Sequence, residues 1–178
     1  YESDEHIVAW AVGHMLGFAD PEAYDEGFKR WRLKDLPIIP EAFQLEPVRG
    51  SRKQLTALRK YLRAKDVDTV VNACDAGREG ELIFREIYRF ADVEKPVKRL
   101  WLQSMTDKAI GEAINSLRAG EDFQGLSDAA DCRAESDWLV GINATRALTV
   151  RLRSSKDRNV WSAGRVQTAT LAILVGRE

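Results

Sequence analysis

The stretch Cys74-Asp75-Ala76-Gly77-Arg78-Glu79-Gly80-Glu81 sets two carboxylates, Asp75 and Glu79, four residues apart across a glycine-bearing turn. Two such groups facing one pocket repel each other unless a cation or a proton lies between them. Mg²⁺ is the usual answer, held by one or two carboxylates together with waters and phosphate oxygens. Gly77 and Gly80 let the backbone come close to an anion, and the amino terminus of a following helix adds a positive dipole. A plainer use of the same residues is Asp75 as the helix cap and Glu79 as the complement of its dipole. The Gly-Lys-Ser/Thr ending of a P-loop is absent, which disfavours generic ATP hydrolysis.

The elements that must position this turn are legible around it. Val67–Cys74 reads as a buried strand, and Glu81–Ala91 as a helix with Leu82, Ile83, Ile87 and Phe90 on one side. Upstream, Ile7–Val12 reads as a buried strand ending at Gly13-His14, and Pro21–Pro47 as extended or looped. Arg52–Lys65 is an amphipathic helix with Leu55, Leu58 and Leu62 in register. Downstream, Val97–Leu102 is a second strand, and Thr106 caps a helix running through Arg118 and ended by Gly120. This alternation of strands and helices predicts an α/β fold with a mostly parallel sheet, and ligands of such sheets bind at the carboxyl ends of strands. Beyond Ser127 the pattern is helical to about Arg153, then a polar loop, then helix again. We place a boundary near Gly120–Ser127, giving an α/β domain over 1–122 and the start of a helical domain over 123–178.

Composition narrows the function classes. The chain has 178 residues, 44% apolar and 31% charged, enough for one sizeable core or for one domain with part of another. Lys+Arg 27 against Asp+Glu 28 excludes a globally basic tail, but the charge is unevenly spread. Tyr1–Pro47 carries ten acids and four bases, net −6, whereas Gly141–Arg177 carries seven bases and one acid, net +6. The basic end is either a solvated face or a contact for a polyanion. The longest apolar runs are too short to span a bilayer, so no membrane contact is expected. Cys74 and Cys132 lack CxxC spacing and are expected to be buried packing residues in a reducing cytoplasm. His14 could contact phosphate or be hydrogen-bonded within the structure. The chain opens at Tyr1 inside a charged run and stops in a helical segment, so it is expected to be a piece of something longer.

Taken together, the motifs resemble a known family. Asp75-Ala76-Gly77-Arg78-Glu79-Gly80-Glu81-Leu82 after an apolar strand resembles the Toprim signature. Trp10–His14, Trp31–Pro40, Lys98–Trp101, Arg133–Ala147 and Ser162–Thr168 follow in the order found in type IA DNA topoisomerases, with the bacterial topoisomerase III branch nearest. The resemblance implies a Toprim domain (Rossmann-like, mostly parallel sheet) followed by an α-helical segment. It implies an isomerase that cleaves one DNA strand through a 5′-phosphotyrosine, passes a strand and reseals without ATP, relaxing or decatenating DNA. It further implies Mg²⁺ as cofactor and single-stranded DNA as partner, in the cytoplasm at the bacterial nucleoid.

By position, Asp75 and Glu79 match the first and last acids of the family's metal motif, and Gly77 stands where the stricter form has an acid. The opening strand, with a metal-binding Glu and a Lys, is expected ahead of Tyr1. The nucleophilic Tyr is expected beyond Glu178, so this fragment alone is not expected to cleave DNA. Trp31, between Arg30 and Arg32, resembles a DNA-touching position, where an aromatic among guanidiniums can stack a base and neutralise phosphates. A loop tryptophan folded onto the core is the alternative. Trp138 and Arg146, eight apart, can share one helix face, which the resemblance makes part of the DNA groove; a buried tryptophan beside a surface arginine is the alternative. Gly164, Arg165, Val166, Gln167, Thr168 and Ala169 resemble the DNA-binding turn, with Arg165 on phosphate and Gln167 on a base or sugar. Ala169 stands where the family usually has proline. The 153–159 loop, longer than in close relatives, is expected to be disordered rather than an added phosphate contact. Rival readings are another Toprim enzyme, such as a primase or nuclease, or a non-catalytic single-stranded DNA-binding module.

Overall fold

The computed structural model describes residues 1–3, 5–154 and 159–178, so most of the 153–159 loop lies outside the described residues. The chain gathers into two compact units, one of Tyr1–Gly17 with Leu45–Asp131 and one of Phe18–Gln44 with Cys132–Glu178.

The first unit is built on two small sheets. Strands β1 (Leu16–Phe18) and β2 (Leu45–Pro47) pair with each other, and β3 (Val70–Asn72), β4 (Val97–Arg99) and β5 (Arg118–Ala119) form the second sheet in that order. β3 and β4 are parallel, with Val70 opposite Val97 and Asn72 opposite Arg99, whereas β5 runs antiparallel to β4. The sheet is therefore mixed, and the three-residue strands end sooner than the apolar runs predict.

Helices α2 (Arg52–Arg63) and α3 (Arg78–Ala91) carry the core. Leu55, Leu58 and Ile87 cluster with Met15 and Leu16, and Leu62, Ile83 and Phe90 pack against them. That is the side of α3 on which the heptad-like spacing of apolar residues placed them. Arg63 ties the helices end to end, donating from Nε to the Ala91 carbonyl at 2.7 Å and from Nη2 to Asp92 Oδ2 at 2.9 Å. Asp92 closes α3 in the left-handed region at φ 53.

Several expectations change, one of them for a residue of the second unit, Cys132. Ile7–Val12 is not a buried strand: Val8, Trp10 and Val12 are 58%, 64% and 71% exposed, because no sheet neighbour covers them among the described residues. The helix capped by Thr106, α4 (Asp107–Asn115), ends before Arg118, which joins β5 instead. Gly120 does not end that helix but opens a short 3₁₀ turn over Gly120–Phe123, where an added Cβ would lie 2.9 Å from the Val97 carbonyl. Cys132 is exposed and Cys74 half-buried, since residue 132 falls on the outward side of α5 (Gln124–Leu152).

The second unit holds most of α5, then α6 (Arg165–Val175), with the 18–44 segment, which includes α1 (Pro21–Tyr24) and two 3₁₀ turns, fastened to α5. Its centre is aromatic: Trp138 meets Tyr24 and Phe43 edge-on at 5.9 and 5.5 Å, and Phe43 meets Phe18 at 4.6 Å. Asn143 fastens the segment by accepting from the Ile38 amide at 2.6 Å and donating to its carbonyl at 2.9 Å. No described helix is long and apolar enough to cross a membrane.

Candidate functional site

The acidic turn lies in the first unit, between β3 and α3. Gly77 is the N-cap residue of α3, and no side chain caps the helix. Asp75 therefore does not serve as the helix cap. Its carboxylate is exposed and makes no hydrogen bond or ion pair among the described residues. Glu79 sits in the first turn of α3, where the helix dipole favours a negative charge. Its Oε2 lies 3.2 Å from His14 Nε2, both side chains being about half-exposed at 49% and 61% for His14 and Glu79. His14 thus joins the turn through Glu79, the structural hydrogen bond of the two readings open to it.

Why the chain turns so sharply here is visible at Gly80. A Cβ on that residue would lie 2.2 Å from the Asp75 carbonyl oxygen and 2.7 Å from its nitrogen, so only glycine lets the helix start this close to the strand end. Gly77 is different: its backbone is extended, and a Cβ there would meet nothing within 4 Å. The position where the family's stricter form has an acid is open space.

Beneath the turn lies a buried polar network that sequence reasoning missed. Asn72, Glu81 and Arg99 are each 1% exposed. Asn72 Nδ2 donates to Glu81 Oε2 at 2.9 Å, and Arg85 Nε to Glu81 Oε1 at 2.8 Å. Arg99 Nε stands 3.3 Å from the same Glu81 Oε2, as an ion pair rather than an aligned hydrogen bond. Burial lowers the Arg99 pKa from its ordinary value, with Glu81 opposing the shift. Burial likewise pushes the Cys74 thiol up, against the attraction of Arg99. The only sequence signal was an Asn inside an apolar strand and a third acid, Glu81, just past the two exposed ones.

Asp75 and Glu79 offer hard oxygen donors open to solvent, and among the described residues neither carboxylate forms an ion pair with a lysine or arginine. That donor set fits a hard divalent cation completed by water or phosphate oxygens. Among the described residues, no three His, Cys, Asp or Glu side chains gather closely enough to hold an ion without such help.

The second unit contains a separate cavity of about 770 Å³. Trp31, Trp138 and Arg146 all line it, so the structure brings together three of the DNA candidates. Their environments differ. Trp138 is tied down, its Nε1 donating to the Ala19 carbonyl at 3.2 Å within the aromatic cluster. Arg146 is 4% exposed, donates from Nη1 to the Phe28 carbonyl at 2.6 Å, and pairs with Glu22 at 3.6 Å. Its guanidinium lies 5.0 Å from the Trp31 ring centre, and Trp31 keeps 36% of its surface in solvent. Burial lowers the Arg146 pKa from its ordinary value, with Glu22 opposing the shift.

The turn into α6 stands beside that cavity. Gly164 is the N-cap, its amide donating to Thr168 Oγ1 at 3.1 Å while the Thr168 amide returns to the Gly164 carbonyl at 2.9 Å. Arg165 Nη1 pairs with Asp137 at 2.8 Å, and Ser162 Oγ meets Gln167 Oε1 at 3.0 Å. Asp137 and Ser162 are themselves lining residues, which puts Arg165 and Gln167 at the rim. Val166 is 63% exposed and Ala169 is exposed on the same helix. Thr145 Oγ1 accepts from the Ala163 amide at 3.0 Å and holds the segment that leads into α6 against α5.

Comparison with known proteins finds similarity to DNA topoisomerases. A DNA topoisomerase family model matches residues 121–178. DNA topoisomerase 3 of Bacillus subtilis is 51% identical over 177 residues, covering 99% of this chain. The chain is similar to DNA topoisomerase 3 over nearly its whole length. DNA topoisomerase 3 of Bacillus licheniformis is 50% identical and that of Bacillus anthracis 44%, each again over 99% of the chain. The chain spans 24% of the length of each of these relatives.

Proposed function

We propose that this chain is the acidic-turn segment, with the start of the helical DNA-binding segment, of a topoisomerase III-type enzyme acting on bacterial nucleoid DNA. In this reading residues 1–122 form a Toprim domain, from which 18–44 departs to join the helical unit, and 123–178 begin the DNA-binding domain. The observation that carries the reading is the turn itself. In a chain similar to DNA topoisomerase 3, Asp75 leaves its carboxylate free at the carboxyl end of a strand instead of spending it on the helix cap.

Asp75 and Glu79 would hold Mg²⁺, whose contribution is to align a DNA phosphate and the 3′-hydroxyl for resealing. His14 orients the Glu79 carboxylate by their shared hydrogen bond. The capped turn at Gly164 presents the α6 amino terminus and Arg165 to a backbone phosphate, while Gln167 and Trp31 offer a hydrogen-bonding edge and a stacking face to a single strand. A phosphotyrosine made elsewhere in the enzyme conserves the phosphodiester energy, so no nucleotide is consumed.

Tryptophan-fluorescence titration of this chain with single-stranded and duplex oligonucleotides, at several salt concentrations, tests the DNA half of the proposal. Preferential, salt-sensitive binding of the single strand is expected. Equal binding of both forms, or none at low salt, refutes the single-strand assignment for this chain.

A further inference from the structure

We propose that Arg99 is the positioning residue of the acidic turn: its buried guanidinium grips the carbonyls of Cys74 and Asp75 and so presets where the Asp75 carboxylate stands. Its Nη2 donates to the Asp75 carbonyl at 2.6 Å. Its Nη1 is shared among the carbonyls of Cys74 at 2.7 Å, Asn72 at 2.9 Å and Leu100 at 2.9 Å. One rigid planar group thereby joins the end of β3, the turn, and the exit of β4. Lysine offers a single ammonium in place of that fork and cannot span the same set of oxygens.

The far side of the turn is held by the same group. Glu81, in the first turn of α3, balances the Arg99 charge and is in turn held by Asn72 and Arg85. Residues 75 and 81 are thus clamped to one guanidinium, and the space between them is closed at Gly80, where no Cβ fits. Trp101 and Phe123 lie over the guanidinium, with ring centres 5.1 and 5.9 Å away, and shield it from water.

A buried ion pair is a poor device for stability alone, because desolvation offsets its attraction and apolar residues of similar volume serve as well. What an apolar residue cannot supply is a set of donors to the turn carbonyls. This assignment rests on the reading of Asp75 and Glu79 as the cation site, and the test separates the two.

The test uses the 178-residue chain and its Arg99→Lys, Asp75→Asn and Glu81→Gln variants. Amide hydrogen exchange is followed by mass spectrometry in peptides covering 73–80 and 52–63, and Mn²⁺ binding by electron paramagnetic resonance. Arg99→Lys is expected to speed exchange of the 73–80 amides by about tenfold, the scale of losing charged hydrogen bonds, while 52–63 stays protected. Its Mn²⁺ affinity is expected to fall about tenfold, as when the support of a ligand is removed. Unchanged exchange in 73–80 overturns the proposal. If Arg99→Lys speeds exchange everywhere, Glu81→Gln decides, since it removes the counter-charge but keeps the carbonyl fork. A protected turn in that variant supports the proposal, and a loosened one overturns it. Mn²⁺ binding untouched by Asp75→Asn refutes the cation reading instead, and leaves the exchange result to judge Arg99.

Discussion

Glu86 offers a quantitative test of the electrostatics of α3. It is 4% exposed, and its Oε2 has no hydrogen-bond partner. Burial raises its pKa from 4.5 to about 7, with Arg89 opposing and Asp131 and Glu79 adding to the rise. The native state therefore prefers the protonated carboxyl. Stability from this group is fully present below the unfolded pKa of 4.5 and is lost as pH rises through about 7. A shift of that size corresponds to about 3 kcal/mol, since one pKa unit is worth roughly 1.4 kcal/mol. Glu86→Gln keeps the shape and removes the charge. Between pH 5 and pH 8.5 the parent chain is expected to lose about 2–3 kcal/mol relative to the variant, or about 5–10 °C in melting midpoint for a chain of this size. Calorimetric or circular-dichroism melts of both proteins across that pH range provide the measurement. Parallel pH profiles would refute the reasoning, because they would mean that Glu86 reaches solvent or a partner when ionised.

Further perturbations address other parts of the account. Gly80→Ala forces a methyl group into the Asp75 backbone, and is expected to destabilise the chain by about 1–3 kcal/mol in urea unfolding; a neutral effect would show that the turn relaxes freely. Leu55→Ala empties the centre of the first unit's core, and a loss of about 2–5 kcal/mol is expected by the same assay. Arg165→Ala should weaken binding of a single-stranded oligonucleotide by about three- to tenfold and shallow its salt dependence by roughly one phosphate contact. The Asp137 pairing means that part of this effect reports release of that carboxylate, so Asp137→Asn, measured alongside, should tighten binding.

What could be read from the sequence follows from what each feature depends on. Helices α2 and α3 show their own periodicity, so the 3.6-residue pattern locates them to within a few residues. Asp75 and Glu79 stood out because two acids flank glycines at a strand end, a local signal. Arg99 did not, since nothing in Lys98-Arg99-Leu100-Trp101 tells a buried arginine from a solvated one. Its burial depends on Glu81 and on carbonyls about 25 residues upstream. The run Ile7–Val12 has the composition of a buried strand, but burial requires a neighbouring strand that a local pattern cannot supply. The antiparallel β5 was missed for a similar reason: two residues are too few to carry a period. Trp138 and Arg146 line one cavity, as their spacing allows, whereas their hydrogen bonds to the 18–44 backbone depend on tertiary structure alone.

The most direct measurement exchanges this chain for the matching 177 residues of the Bacillus subtilis relative and assays the chimera on negatively supercoiled plasmid with Mg²⁺ and no ATP. The account predicts relaxation that disappears on chelation and falls by orders of magnitude with Asp75→Asn, without loss of single-strand binding. A folded chimera that binds single-stranded DNA yet never changes plasmid topology, or one whose activity ignores Asp75→Asn, would contradict it.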